Sequence, residues 1–536
     1  MVPFARNAES VSSSFIDVNP PFSFFSFAEN FFPSNTLSRI LSQVRQHCAQ
    51  TMVVEKLEAD SAGDLKEENE DILVRYPGLS ESRVYRLSFF SKKCSSRSDL
   101  SNVSAEDFIG YAILKCDQVS GKQPTRRIYE SVIRPSRRVN NFIHGSQQWL
   151  CTVQGLDLPV QGYMYAQQNG ITNVCAHAAL RTVAARFHGN GDMTYREMNT
   201  LTGIPSEGIP KFDHVQRKAG EGEYGGLFPD EMVTILKNAG CNPLLYKYDK
   251  YPSSGKNFPP FEKYVYGSIE SGFPVIVGFE TGSNHHAIPL FGHTFNEDTW
   301  APSADFIYFI GNTRFTPSDS WLSAFIGHDD NLGSNFCVPR TFLRTRRPCD
   351  LSGCLCPFEQ RPVAYVIATV PADVRVDAVE AEALGVLCLP PLLDELKGQE
   401  VWTNRLKRYS QRGLLVFRSM LMNVGSYVNH LMKIRDWSSA QLDETQLASL
   451  KALDAHRNVW MIELSVPELF SANRRKIAEL VIGADKAVDP LNPFDNLLIA
   501  RLPGYFALPL SLGNNRPKFK FIQSSVTGHV QLYGCE

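Results

Sequence analysis

The side chains that could do chemistry together stand in the middle of the chain: Cys175, His286 and the adjacent carboxylates Asp329 and Asp330. A thiol is a strong nucleophile as the thiolate. An imidazole can draw the thiol's proton and later return it, and a carboxylate can orient that imidazole and stabilise its charged form. Taken singly, each residue has an ordinary reading: a small thiol in a helix is usually core, and a His beside another His, as in His285-His286, is usually a satisfied structural group. The ordered set points instead to acyl chemistry through a thioester.

Three elements must bring these groups together. Residues Gln167–Leu180 pass from a polar, glycine-containing turn into a helical pattern that Asn173 is expected to cap. Apolar residues at Ala179, Leu180, Val183, Ala184 and Phe187 bury one helix face and leave Cys175 in the first turn. Unpaired amides and the positive end of the helix dipole favour a thiolate there. The run Gly272–Phe279 reads as a buried strand, and Gly282-Ser283-Asn284 as a turn into a second strand that opens near His286. The run Trp321–Gly333 reads as a strand ending in carboxylates. Asn312, after the strand-like run Phe306–Ile310, is a third candidate for the orienting group beside Asp329 and Asp330.

In the order Gln, Cys, His, Asp, these residues resemble the papain-like cysteine peptidase superfamily, and within it the bacterial C39-like branch, over about 161–340. The resemblance is carried by a Gln before a Cys that opens a helix and by Gly226-Leu227-Phe228-Pro229-Asp230-Glu231-Met232. It is also carried by the strand Gly272-Phe273-Pro274-Val275-Ile276-Val277 and by His286-Ala287-Ile288 with Gly292 six residues after the His. It implies that Cys175 is the nucleophile, His286 the general base and then acid, and Asp329 the orienting group. Gly333 follows Asp329 at the spacing of that branch, while Asp330 takes the place of its proline and is an alternative partner. The family's oxyanion glutamine lies six residues before the Cys, where this chain has Asn169; Gln168, one further back, is assigned the role. The activity implied is cleavage of a protein or peptide substrate by a bacterial cytosolic enzyme. Acyl transfer, transglutaminase-like crosslinking or deamidation by the same triad is one alternative, and an inactive hydrolase fold used as a binding module is another.

The whole chain sets the frame. Its 536 residues, 54 Lys+Arg against 56 Asp+Glu and 43% apolar content exclude disorder, collagen and coiled coil, and suggest three or four domains. The expected class is a multidomain α+β protein whose papain-like core, a helix packed on an antiparallel sheet, is flanked by α+β domains. The expected segments are a Phe-rich arm at 1–54, a small β-rich or α+β domain at 55–160, the catalytic domain at 161–370 and a C-terminal α+β domain at 371–536. A formal charge of −2 argues against nucleic acid or an anionic membrane as partner. No run of eighteen apolar residues or signal-peptide pattern occurs, which reads as cytoplasmic.

Smaller features complete the reading. Eight phenylalanines fall in the first 32 residues and are expected to dock on the rest of the chain, because exposed they would be adhesive. The acidic stretch 55–71 reads as a solvated helix face or linker, and Lys122, Arg126, Arg127, Arg134, Arg137 and Arg138 as a basic surface loop. Strands are expected at Arg83–Phe90, Phe108–Leu114, Val459–Leu464, Lys476–Ile482 and Asn496–Leu502, and helices at Val374–Val386 and Ser439–Leu453. The twelve cysteines are dispersed and read as free thiols. Cys337, Cys349, Cys354 and Cys356 lack paired-knuckle spacing, so no metal or other cofactor is expected. Gly220–Gly225 matches a dinucleotide fingerprint by letters only, since no buried strand precedes it. Flanking domains are expected to choose the substrate or a protein partner.

Overall fold

A computed structural model describes residues 4–18, 23–60, 62–75, 78–120, 124–135, 141–145, 147–169, 172–188, 192–203, 226–248, 259–281, 284–294, 308–310, 313–340, 343–345, 361–396, 400–433, 450, 453, 456–470, 473–511, 518–523 and 530–533. The chain is α+β and divides into two compact units. The first comprises 1–255, 273–292 and 324–369, and the second 256–272, 293–323 and 370–536. The expected segments 1–54, 55–160 and most of 161–370 thus share one unit, whereas 256–272 and 293–323 belong with the C-terminal region.

The first unit is built on two sheets. One is antiparallel with strands in chain order: β1 (Ser10–Asp17), β2 (Thr51–Leu57), β3 (Leu79–Phe90), β4 (Phe108–Val119) and β5 (Thr125–Ile133). Alternation decides its faces. Met52, Val54, Leu87 and Phe89 meet the helical stripe Leu37, Ile40, Leu41 and Val44 of the helix Asn35–Gln46. Val53, Val84, Tyr111 and Ile113 pack with Ala5, Ala8 and Leu65. The N-terminal arm is therefore part of this core: it supplies edge strand β1 and the covering helix, with Ala28 and Phe32 buried beside them.

The second sheet runs Gly333–Pro339, Ala324–Asp329, Asn284–Thr294, Val275–Thr281, Arg361–Pro371 and Leu343–Thr345. Val275–Thr281 pairs antiparallel with both neighbours, Phe279 lying opposite His286. Gly278 leaves room for the Tyr365 ring, which a Cβ there would meet at 2.1 Å. Helices Cys175–Ala184 and Pro229–Asn238 pack on this sheet through Ala179, Leu180, Val183, Met232, Ile235 and Leu236 against Ile276, Ala364, Tyr365 and Ile367.

Two charged stretches do not lie where their composition suggests. Within 55–71, Glu55, Asp64, Glu68 and Asp71 are buried, because elements far along the chain bring them cations: strands for Glu55 and Glu68, and the helix residues Arg181 and Arg196 for Asp64 and Asp71. Arg86 Nε binds Glu55 (2.8 Å), while Lys115 (2.7 Å) and Arg127 (2.5 Å) both reach Glu68. Arg127 accordingly belongs to buried β5 and not to a surface loop. Lys122, Arg137 and Arg138 lie outside the described residues, as do Gly220–Gly225, Asn312, Cys349, Cys354 and Cys356.

The second unit carries an eight-stranded sheet ordered Tyr308–Ile310, Thr313–Pro317, Val416–Asn423, Asn458–Ser465, Ala478–Gly483, Leu497–Leu502, Tyr505–Ser511 and Lys518–Gln523. Its register sets Arg418, Glu463, Glu479 and Arg501 opposite one another across four strands. The two facing carboxylates would repel, and Lys476 Nζ lies between them at 2.6 Å from Glu463 and 2.8 Å from Glu479. The helix expected from Val374 begins at Ala378, where an Asp377–Glu380 capping box starts it, and extends to Glu395. Of Ser439–Leu453, only Leu450 and Leu453 are described. Among the described residues no helix is long and apolar enough to cross a membrane.

Candidate active site

All of the described candidate residues lie in the first unit. Cys175 is the first residue of the helix Cys175–Ala184, half-buried against the Val174, Leu227 and Met232 cluster. Asn173 does not cap this helix. Val174 occupies the cap position without a side-chain acceptor for the first amides, and His177 Nδ1 instead receives the Val174 N–H (3.4 Å). Among the described residues no side chain caps the turn that carries the sulfur. His177 is held at its other nitrogen by Asn199 Oδ1 (2.9 Å).

The cap role fails for Asn173 because the preceding loop uses it. Asn173 Oδ1 accepts the Asn169 N–H (2.8 Å), and Asn169 Oδ1 accepts from Thr172 and Asn173 amides (2.7 and 3.2 Å). Asn169 Nδ2 donates to Glu68 (2.9 Å) and Thr172 (2.7 Å). Asn169, the residue six positions before the cysteine, is thus a loop staple. Gln168 beside it is half-buried. Gln167, which sequence reasoning passed over, ties elements together: Oε1 accepts from the Ile128 amide (2.7 Å) and Nε2 donates to the Asp330 carbonyl (3.1 Å).

His286 is the third residue of Asn284–Thr294, with the Phe279 ring edge-on at 5.4 Å. Its Nε2 lies 3.3 Å from Asp329 Oδ2, and the ring also hydrogen-bonds the Cys175 thiol. With Nε2 taken by the carboxylate, Nδ1 is the nitrogen left for the sulfur. Burial alone would lower the imidazole pKa, but the hydrogen bonds to Asp329 and Cys175 outweigh it and lift it to about 10.

Asp329 ends the strand Ala324–Asp329, and the tight turn after it sets its charge. Oδ1 accepts the amides of Asn331 (2.8 Å) and Leu332 (3.0 Å) while Oδ2 faces His286, so its pKa falls despite burial. Asp330 differs. Its Oδ1 stands 3.4 Å from His286 Nε2, within ion-pair range but off the hydrogen-bond line, and neither carboxylate oxygen has a hydrogen-bond partner among the described residues. Burial raises its pKa to about 6 even against the pull of His286. His286, Asp329 and Asp330 are also the group whose ligand atoms, within 4.8 Å of one another, could hold a metal ion.

The turn itself is braced from outside. Burial keeps His328 neutral, with its pKa pushed down to about 3; Nδ1 accepts the Asn335 amide (3.1 Å) and Nε2 donates to the Tyr163 carbonyl (3.2 Å). Arg39 donates to the carbonyls of Ser334 (2.8 Å) and Asn335 (3.1 Å), and Gln43 to Ser334 (2.6 Å). Beneath the cysteine helix, Arg181 meets Glu130 and Asp192, each at 2.7 Å, and Arg6 shares both carboxylates. An arginine on an otherwise apolar helix face was the one available sign of that network. Of the zinc candidates, Cys337 is exposed.

Comparison with protein-family models, with curated proteins and with solved structures finds no match for this chain.

Proposed function

We propose that the first unit is a papain-like cysteine hydrolase that cleaves a protein or peptide substrate through a thioester. The observation that carries the reading is the sharing of one imidazole, His286, between the Cys175 thiol and the preorganised carboxylate of Asp329. The sulfur attacks the substrate carbonyl carbon while the C=O electron pair moves to oxygen. The Cys175 amide and the Gln168 side chain are assigned to stabilise that oxyanion. Nδ1–H of His286 then protonates the leaving amine as the C–N bond breaks, giving thioester and neutral imidazole. The imidazole next takes a proton from water, whose oxygen displaces the sulfur and releases the acid. Asp329 keeps the ring oriented and favours its charged form in both halves. It is the better orienting group because two amides fix it, whereas Asp330 has no such donors among the described residues.

A test that needs no known substrate is incubation with a cysteine-directed peptidyl vinyl sulfone library, followed by mass mapping. Adducts on Cys175 that vanish in His286→Ala are expected. Unmodified Cys175 across the library, with the exposed thiols Cys48 and Cys337 reacting instead, would overturn the reading.

A further inference from the structure

One imidazole N–H faces two carboxylates, yet only Asp329 receives it along a hydrogen-bond line. Asp330 is 3% exposed at its side chain and its oxygens have no hydrogen-bond donor among the described residues, although Oδ1 points to within 3.4 Å of His286 Nε2. A buried carboxylate so placed accepts no hydrogen bond among the described residues and has the His286 ring as its near counter-charge, which leaves its lone pairs open to a metal ion. We propose that His286 Nε2, Asp329 Oδ2 and Asp330 Oδ1 form a binding site for a zinc-class divalent cation.

The separations favour this class. Zinc bonds to nitrogen and carboxylate oxygen of about 2.0–2.1 Å in a tetrahedron put ligand atoms roughly 3.3 Å apart. The two pairs made by Nε2 are 3.3 and 3.4 Å apart. These lengths exceed the roughly 2.7–2.9 Å of a charge-assisted hydrogen bond. An octahedral ion such as magnesium, at about 2.0–2.1 Å per bond, would need adjacent ligands roughly 2.9 Å apart. Two carboxylates and a neutral imidazole balance the charge of M2+, and three protein ligands leave the fourth position to water. His286, 12% exposed at its side chain, is the side of the site nearest solvent.

Binding exchanges a proton for the metal: the imidazolium releases its Nε2 proton to solvent as the N–M bond forms, and Nδ1 keeps its own. Resting on the hydrolase reading, the consequence is reversible inhibition. A ring metallated at Nε2 and protonated at Nδ1 has no lone pair with which to take a proton from water, so the thioester cannot be hydrolysed. Metal occupancy and turnover exclude one another because a metal on Nε2 displaces the Asp329 hydrogen bond and fixes the proton on Nδ1, the nitrogen that must take it from water.

The decisive measurement is equilibrium dialysis of the full-length Cys175→Ala protein against zinc chloride, which needs neither a substrate nor the nucleophile. One zinc per chain is expected, with affinity falling more than about 100-fold in Cys175→Ala/Asp330→Asn, since losing even an outer-shell partner weakens metal binding roughly 10–100-fold. Circular dichroism checks that the double variant is folded; Cys175→Ala/His286→Gln gives the same comparison without touching Asp330. Zinc binding that disappears with Cys175→Ala alone would assign the metal to the thiol. Binding that persists unchanged in both double variants would assign it to other cysteines, and either result overturns the proposal. Failure of the vinyl sulfone labelling with zinc binding intact would sink the hydrolase reading and leave the metal site standing.

Discussion

The reactivity of Cys175 turns on His286, and its pH dependence can be worked out from the geometry. With its pKa lifted from 6.5 to about 10, the imidazole keeps a positive charge against the sulfur throughout the neutral range. A shift of that size corresponds to a differential interaction on the order of 5 kcal/mol. Because the folded value is raised, this stabilisation is complete below about pH 6.5 and is lost as pH climbs toward 10. The stability margin of the natural protein over His286→Gln, read by urea unfolding, should therefore shrink by a few kcal/mol between pH 6 and pH 10. Alkylation reports the same charge. A cation held beside a sulfur favours the anionic form that reacts with alkylating agents. A paired thiolate is a weaker nucleophile, with a Brønsted slope of about 0.4–0.5, which gives back much of that gain. Iodoacetamide at pH 6 should modify Cys175 about tenfold faster in the natural protein than in His286→Gln, and the two should converge near pH 10. Peptide mapping follows the rate, with Cys48 and Cys337 as exposed internal references. Equal labelling of Cys175 in both proteins at pH 6 would refute the ion-pair argument.

Other consequences can be checked in the same way. Asp329→Ala should lower turnover of any substrate found by at least about 100-fold, since it removes the group that fixes the imidazole, whereas Asp330→Asn should change basal turnover by less than about fivefold. Arg181→Met leaves Glu130 and Asp192 with the more distant Arg6 as cation, and should cost about 3–5 kcal/mol in denaturant unfolding. Burial holds the Asp64 carboxyl up near 7 despite Arg181, so the folded chain binds more protons than the unfolded one between about pH 4 and 7 and loses stability as pH rises through that window. Asp64→Asn should flatten that part of the stability profile and be the more stable protein at pH 8, by thermal melting.

How much of this was legible in the sequence depends on whether the information was local. Cys175 opening a helix, His286 in the early residues of a strand and Asp329 closing another all follow from hydrophobic period and turn residues within a dozen positions, and those elements are present. The strands over Arg83–Phe90 and Phe108–Leu114 were readable for the same reason, although both extend further. The acidic stretch 55–71 misled because its composition is that of a solvated face, while its partners Arg86, Lys115 and Arg127 arrive from strands 31 to 59 residues away. Asn173 looked like a cap because caps are judged by residue type. Its oxygen is used by the Asn169 amide, a contact that depends on the loop's path.

The same non-local contacts explain why the site is not confined to the segment that resembles a peptidase. Glu68, from the acidic helix, holds the Asn169 loop just ahead of Cys175, and Arg6 shares the carboxylates that anchor Arg181 below it. Gln167 couples the backbone of β5 to the carbonyl of Asp330, while Arg39 and Gln43 hold the hairpin that aims Asp329. Cys175 and Asp329 are therefore each held at one remove by residues from the first 135 positions. Rigid placement to within hydrogen-bond reach is what an acid–base relay requires. The N-terminal sheet and its covering helix supply such placement, so on the hydrolase reading proposed above they are more than a substrate-selecting appendage, and residues 161–370 by themselves would lack the framework that aligns Cys175 and Asp329.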